Sequence, residues 1–142
     1  RSPRLTAWYG DPNKTYRYSG ITVQSLPWIA VLEEIKSKIE SVSRVKFNSV
    51  LLNRYRSGTD SVSWHSDDEC QLGRHPVIGS VSFGQSRRFK LKHKSTKQRR
   101  HLELINGSYL LMKGATQDNW LHEVPKSKCQ GERVNLTFRV IS

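Results

Sequence analysis

With 142 residues the chain is long enough to enclose one hydrophobic core and short for two, so we expect a single domain over residues 1–142. Its 24 lysines and arginines exceed its 12 acidic residues, and the net charge of +12 is typical either of nucleic-acid binding or of a solubilising surface. Two cysteines without C-x-x-C spacing argue against a disulfide scaffold and a zinc site, and no apolar run approaches the length of a membrane span.

The first third of the chain predicts strands followed by one helix. Leu5 to Tyr9 and Tyr16 to Val23 have strand composition, and Asp11-Pro12-Asn13 predicts the turn between them. Apolar residues recur at helical spacing from Trp28 to Val42, and Pro27 suits the first turn of a helix. We expect an amphipathic helix of about four turns that covers a sheet.

The rest of the chain is a series of short apolar segments separated by turn residues. Such a series predicts an all-β sandwich or barrel behind one or two helices. Asn106-Gly107 is a strong hairpin signal between Leu102–Ile105 and Tyr109–Met112. The other strand-like segments are Phe47 to Tyr55, Ser61 to His65, Val77 to Phe83, Arg88 to His93, Leu121 to Val124 and Arg133 to Ile141.

The last segment has two faces of different character. Val134, Leu136, Phe138 and Val140 alternate with Arg133, Asn135, Thr137 and Arg139. In a half-buried strand the polar face would lie in water. In a jelly roll that binds its ligand inside, the polar face would point into the barrel and the apolar face would pack on outer helices. Nearby histidine and carboxylate side chains favour the second arrangement.

Two histidines and one carboxylate, His65, Asp67 and His122, form the candidate metal and catalytic centre. Non-haem Fe(II) oxygenases use this ligand set, which leaves positions open for a chelating co-substrate and O2. A spacing of two along a strand would put His65 and Asp67 on one face, with His122 on a neighbouring strand. The alternative is an ordinary half-buried His122 and a loop at residues 65–67. The other histidines, His75, His93 and His101, are expected at the surface.

A second group of residues is suited to a dicarboxylic keto acid. Asn53 and Tyr55 share one face of a predicted strand, and Arg133 and Arg139 share one face of another. The arginine fork binds a carboxylate through two hydrogen bonds, which suits the two carboxylates of a five-carbon keto acid. By pattern alone, Asn53 and Tyr55 are equally suited to hydrogen bonding at the edge of a core.

Several segments together resemble the AlkB family of Fe(II)/2-oxoglutarate dioxygenases, which remove alkyl groups from nucleobases. The segments are Asn53-Arg54-Tyr55, Trp64-His65-Ser66-Asp67-Asp68-Glu69, Val81-Ser82-Phe83-Gly84 and Arg133-Val134-Asn135-Leu136-Thr137-Phe138-Arg139. The resemblance runs from about Arg4 to the C-terminus and is strongest to the second and third animal AlkB homologues. It implies a mainly β fold with a flanking helix, whose core is a double-stranded β-helix (jelly roll).

The resemblance also implies roles for individual residues. His65, Asp67 and His122 match iron ligands, and the residues that match 2-oxoglutarate contacts are Asn53, Tyr55, Arg133, Asn135 and Arg139. The aromatic ring at Tyr18 corresponds to one that stacks on the flipped base, with Trp8 and Ser19 in the same lid. Asp68 corresponds to an acidic residue near the base, paired with the arginine at Arg133.

The reaction implied is oxidative demethylation of 1-methyladenine- or 3-methylcytosine-type bases in single-stranded DNA and RNA, with Fe(II), 2-oxoglutarate and O2 and with release of formaldehyde. A related hydroxylase of a protein or small molecule, and a binding module with a vestigial site, are the alternatives. Lys90, Lys92, Lys94, Lys97, Arg99 and Arg100 either track phosphates or form a solvated hairpin face.

The resemblance further implies how the protein works in the cell. We expect a monomer without membrane association, in the nucleus or the cytoplasm, where cysteines stay reduced. The chain opens within sequence that has strand character, so we expect the native N-terminal region to be missing. In the family, the second homologue carries a finger hairpin upstream of the matched motifs. Because we expect this upstream region to be missing, the resemblance does not imply activity on duplex DNA for this chain.

Overall fold

The structure is a computed structural model, which describes residues 4–18, 21–68 and 70–142 and is mostly β. The predicted class, mainly β with a flanking helix, is therefore confirmed. Its elements in chain order are β1 (Leu5–Gly10), β2 (Thr15–Tyr18), β3 (Ile21–Gln24), α1 (Ala30–Ser43), β4 (Ser49–Tyr55), β5 (Val62–His65), a 3-10 turn (Cys70–Leu72), β6 (Ile78–Gly84), β7 (Arg87–His93), β8 (Arg99–Leu104), β9 (Tyr109–Met112), α2 (Thr116–Asn119), β10 (Trp120–Val124) and β11 (Arg133–Arg139).

Two antiparallel sheets enclose the interior. Five strands pair in the order β1-β4-β11-β6-β9, and four pair in the order β5-β10-β7-β8. One buried cluster draws on both sheets, for example Leu51 and Ile78 from the first and Phe89 and Val124 from the second. The layers of a jelly roll therefore face each other across a shared core.

Helix α1 covers the outer face of the five-stranded sheet. Leu32 and Ile39 of the helix are buried with Val50, Leu136 and Phe138 of the sheet. This is the covering role expected for the amphipathic segment. Neither helix in the described part of the chain has the length and apolar character that a membrane crossing requires.

The start of the predicted helix is corrected by the structure. Helix α1 begins at Ala30, so Pro27 and Trp28 lie before it and not in its first turn. The Trp28 indole explains the delay, because its Nε1 donates to Asp11 Oδ1 at 2.8 Å and its ring stacks on Phe138. These contacts hold residue 28 on the sheet, outside the helical backbone.

Two predictions about the strands are also wrong. The segment Tyr16–Val23 is not one strand, because β2 pairs with β3 and Tyr18 lies opposite Ile21. The Asn106-Gly107 turn does form, with Ser108 N–H donating to Ile105 O at 3.0 Å, but it does not close a hairpin. Strand β8 before it pairs with β7, whereas β9 after it pairs with β6. The chain crosses there from one sheet to the other.

Both faces of β11 are buried, which decides between the two arrangements considered for this strand. Leu136 and Phe138 pack in the cluster beneath α1. Arg133, Asn135 and Arg139 are also buried, and they line a cavity between the sheets. The polar face therefore points into the barrel and away from water.

Candidate metal and co-substrate site

The two candidate histidine ligands lie opposite each other on adjacent strands. In the pairing of β5 with β10, His65 is the partner of His122. The sequence predicted that His65 and Asp67 lie on one strand, and this prediction is wrong. Strand β5 ends at His65, and Asp67 follows in a loop. The three residues still meet, with one ligand atom from each within 4.8 Å of the others.

Asp67 is held in place by contacts to both ends of its residue. Its main-chain N–H donates to Gln117 Oε1 at 2.8 Å, and its Oδ1 accepts from Arg139 Nη1 at 3.3 Å. The carboxylate lies 3.6 Å from His122 Nε2 and 4.0 Å from His65 Nε2. These contacts position the Asp67 carboxylate although it lies in a loop.

The protonation states around the triad suit a divalent cation. Burial alone would raise the pKa of the Asp67 carboxyl, but Arg139 together with His122 and His65 holds it well below its usual range. Burial, with the neighbouring His122, lowers the pKa of His65. The His65 Nδ1–H donates to Ser63 O at 2.8 Å, which leaves Nε2 with its lone pair facing Asp67. Asp67 is therefore a carboxylate and His65 a neutral imidazole, which are the forms in which these side chains bind a metal.

The co-substrate candidates lie in the same cavity as the triad. Strand β11 pairs with β4 so that Arg133 lies opposite Tyr55 and Asn135 opposite Asn53. These four residues and Arg139 line a cavity of about 420 Å³ together with His65, Asp67 and His122. The register of two neighbouring strands thus assembles a set of residues that the sequence separates widely.

Arg133 provides the test of whether a dianionic co-substrate fits. Arg133 is 1% exposed. Its guanidinium carbon lies 4.8 Å from the centre of the Tyr55 ring, and its Nη2 donates to Ser82 Oγ at 3.1 Å. Its Nε and Nη1 are buried and have no hydrogen-bond partner among the described residues. Burial, the main cause, lowers its pKa. An anion would accept hydrogen bonds from these buried N–H groups and neutralise their charge, so the residues present fit a carboxylate.

The substrate-side predictions have mixed outcomes. Trp8 does not reach the wall of the cavity in the described part of the chain; it lies opposite Leu51 in the sheet and packs, 3% exposed, on Tyr16. The pairing of Asp68 with Arg133 is also not found among the described residues, since Asp68 is exposed and Arg133 is buried against Tyr55. The Tyr18 side chain and Ser19 lie outside the described residues.

Three further residues enter the site that sequence patterns did not single out. Gln117 is 1% exposed and contacts both Asp67 and His122, with 3.3 Å between its Oε1 and His122 Nε2. Tyr16 lines the cavity and its hydroxyl accepts from Arg139 Nη1 at 2.9 Å. Arg4 lines the cavity and donates through Nε to Asn53 Oδ1 at 2.9 Å. The contacts with Asp67, Arg139 and Asn53 span distant parts of the chain, so no local spacing signals them.

The remaining histidines lie apart from the triad. His75 and His101 are exposed, and His75 forms an ion pair with Asp118 at 3.0 Å. His93 is only partly buried, and its Nδ1 accepts the Ser95 N–H at 3.2 Å. The structure therefore separates these three from His65 and His122.

Comparison with known proteins agrees with the geometry. The model of the 2OG-Fe(II) oxygenase superfamily matches residues 2–139. The human alpha-ketoglutarate-dependent dioxygenase alkB homolog 3 is 46% identical over 152 residues, covering 99% of this chain and 52% of its own length. The human DNA oxidative demethylase ALKBH2 is 43% identical over 148 residues, covering 98% and 57%. The chain thus spans about half the length of the curated relatives that it matches.

The solved structure of OsALKBH1 shares the fold, with a TM-score of 0.69 at 18% identity over 96% of this chain and 79% of the other. The predicted jelly-roll core is thereby confirmed. The expected cofactors, Fe(II) and 2-oxoglutarate with O2, are those of an oxygenase family of this name. The sequence resemblance is confirmed as well: the chain belongs to the 2OG-Fe(II) oxygenase superfamily, as a member of its AlkB family.

Proposed function

We propose that this chain carries the catalytic core of an oxidative demethylase for N-alkylated bases, of the 1-methyladenine and 3-methylcytosine type, in single-stranded DNA and RNA. One observation carries the proposal. One cavity is lined both by the histidine-carboxylate triad and by two buried arginines. The two arginines, Arg133 and Arg139, both lie on strand β11 and are suited to the two carboxylates of 2-oxoglutarate. The similarity to a human protein named as a DNA oxidative demethylase, over 98% of the chain, supports the choice of substrate.

The bound cofactors supply the oxidation, in which O2 and 2-oxoglutarate yield succinate and CO2 while the N-methyl carbon leaves the base as formaldehyde. The protein's task is to position the reactants. Arg133 and Tyr55 would hold the distal carboxylate, and Arg139 would lie near the proximal one because it already contacts Asp67. The Phe89 ring packs on the His122 ring, with 5.2 Å between their centres, and shields this candidate metal ligand from water.

On the substrate side, charge offers a means of selection. Asp68 is exposed and directly follows the candidate ligand Asp67. The methylated bases are cationic, so a neighbouring carboxylate would favour them over unmodified bases. Their methyl group also blocks Watson–Crick pairing, which lowers the free energy needed to flip them out. Tyr18 and Ser19 remain candidates for contact with the base, whereas Trp8 is the weaker candidate because it is buried and does not line the described cavity.

The basic candidates divide into two sets. Lys90 lies 3.9 Å from Glu123, Lys92 stands 4.7 Å from the Trp64 ring, and Lys94 donates to Gln117 O at 3.2 Å. Lys97, Arg99 and Arg100 are exposed on the β7–β8 hairpin, and of these Lys97 donates through Nζ to Lys94 O at 2.7 Å. We assign phosphate contacts to this exposed set, which we call the hairpin basic patch. Single strands are the favoured partner because a basic groove and exposed bases suffice to bind them.

We further propose that the protein acts as a monomer, as the sequence resemblance implies. The relatives named as DNA demethylases favour the nucleus, and the two cysteines without paired spacing are compatible with the nucleus or the cytoplasm. Both assignments belong to the proposal.

The deciding experiment loads the protein with Fe(II) and 2-oxoglutarate without oxygen, then adds air and a single-stranded DNA carrying one 3-methylcytosine. Mass spectrometry should show loss of one methyl group, with one formaldehyde released for each methyl lost. His65→Ala should abolish the reaction because it removes a metal ligand, whereas His75→Ala, which changes an exposed histidine, should not. Consumption of 2-oxoglutarate with no methyl loss from DNA or the matching RNA would reject the base substrate and favour a protein or small molecule.

A further inference from the structure

A third buried arginine lies behind the cavity without lining it. Arg87, at the start of β7, is 2% exposed. Its guanidinium donates to three main-chain carbonyls, those of Ser57 at 3.2 Å, Asp60 at 2.9 Å and Pro125 at 2.7 Å. In the described part of the chain no carboxylate lies within ion-pair distance of it, because the nearby Asp60 side chain contacts Arg56. Arg87 is therefore a buried positive charge that carbonyl dipoles solvate.

The carbonyls that Arg87 binds belong to two loops that are joined to each other. Gly58 N–H donates to Cys129 O at 2.9 Å, and Ser127 N–H donates to Gly58 O at 2.8 Å. A Cβ at position 58 would lie 2.3 Å from Ser127 O, so only glycine permits this approach. Arg87 therefore ties the joined loops to the start of β7, and the first of these loops follows directly after Tyr55 at the end of β4.

Tyr55 lies within reach of both Arg87 and Arg133. The guanidinium carbon of Arg87 is 5.4 Å from the centre of the Tyr55 ring and that of Arg133 is 4.8 Å from it, which puts the two charges within about 10 Å of each other. Burial chiefly, and the charge of Arg87 in smaller part, lower the pKa of Arg133. Two cations without a carboxylate partner among the described residues therefore act on one end of the cavity.

We propose that Arg87 is a positioning residue that sets co-substrate specificity: it holds Tyr55 and adds a second positive charge behind Arg133, so that the cavity prefers 2-oxo acids with a distal carboxylate to monocarboxylic ones. This inference rests on the proposed placement of the co-substrate. Arg87 contributes field and support, and Arg133 makes the contact. A unit charge at about 10 Å in a medium of effective dielectric constant near 20 changes anion affinity on the order of tenfold.

The test compares two acids of the same chain length. 2-Oxoglutarate and 2-oxopentanoate differ only by the distal carboxylate, and each is titrated calorimetrically into the Mn(II)-loaded protein without nucleic acid. The readout is the ratio of their dissociation constants. In Arg87→Gln the amide still donates to carbonyls but the charge is lost, and we expect the ratio to fall on the order of tenfold. Arg88→Gln is the matched control, because Arg88 is the next residue, is exposed, and pairs with Glu103.

Arg87→Lys separates charge from geometry. Lysine keeps the charge and loses the fork, so the ratio should stay near that of the unmodified protein even if both affinities drop together. Should Arg87→Gln not fold, Arg87→Met, which also removes the buried charge, takes its place in the comparison. An unchanged ratio in Arg87→Gln, or an equal collapse in Arg87→Lys, would overturn the inference. A lack of preference for the diacid in the unmodified protein would instead reject the placement of the co-substrate, and the inference with it.

Discussion

The position of Asp67 in the candidate metal site depends on a hydrogen bond to the Gln117 side chain. Its Oε1 accepts the Asp67 N–H at 2.8 Å and lies 3.3 Å from His122 Nε2. Gln117→Leu leaves that buried N–H without an acceptor, which should cost about 1–3 kcal/mol of unfolding free energy. Loss of a partner that orients metal ligands should also weaken Mn(II) binding about 10–100-fold. Denaturant unfolding and calorimetry would measure the two effects.

The matched control for this prediction is Gln130→Leu, the same chemical change at an exposed position. It should change neither quantity by more than about 0.5 kcal/mol. Equal Mn(II) affinity in Gln117→Leu and the unmodified protein would show that Asp67 keeps its position without the amide, through Arg139 alone.

Residue types and spacing predicted the triad because metal chemistry restricts the possible ligands so strongly. The two histidines and Asp67 do meet, although Asp67 lies in a loop and not on a strand. Gln117 and Arg87 had no such signal, since a buried amide and a buried arginine acquire their roles only from partners distant in the chain. Trp8, which the resemblance placed in the lid, is buried against Tyr16 and does not line the described cavity.

At the scale of elements, strand positions were predictable and strand partners were not. Alternation in a sequence marks where the chain is extended, as in β11, whose two faces match the prediction. Pairing depends on topology: the turn at Asn106-Gly107 forms as predicted, yet it joins strands of different sheets. A local turn signal fixes a change of direction and leaves the choice of neighbour to the packing of the whole core.

The β7–β8 hairpin carries the prediction at this scale. The hairpin basic patch offers exposed charge, whereas Lys94 is tied to Gln117 O. Arg99→Glu with Arg100→Glu should weaken binding of single-stranded DNA. Because each phosphate contact contributes about 0.7 to the slope of log affinity against log salt, loss of two contacts should reduce that slope by about 1.4. Fluorescence anisotropy over a series of salt concentrations would measure it.

A control with the same charge change separates local contact from net charge. Lys38→Glu with Lys46→Glu alters two highly exposed lysines in α1 and just beyond it, on the side of the five-stranded sheet. If the hairpin binds phosphates, this pair should leave the slope nearly unchanged. Equal slopes in both double variants would assign the effect to overall charge and return the hairpin to the role of a solvated face.

For the whole molecule, the distribution of buried charge is the feature that most affects stability. Arg87, Arg133 and Arg139 are each at most 5% exposed. Arg139 contacts Asp67 at 3.3 Å, but Arg87 and Arg133 have no carboxylate partner in the described part of the chain. Buried cations of this kind oppose folding until an anion binds. Binding of the dianionic co-substrate should therefore increase the free energy of unfolding, because it supplies the missing negative charge.

Thermal unfolding should show this dependence directly. With Mn(II) present, 2-oxoglutarate at about a hundred times its dissociation constant should add about 2.7 kcal/mol of stability, which raises the midpoint by several degrees. Arg133→Met should lose that increment and keep the Mn(II) increment, while its ligand-free midpoint stays equal or rises because a buried unpaired charge has been removed. Arg54→Met, at an exposed arginine that pairs with Glu132, should keep both increments. A full 2-oxoglutarate increment in Arg133→Met would mean that the distal carboxylate binds elsewhere in the cavity.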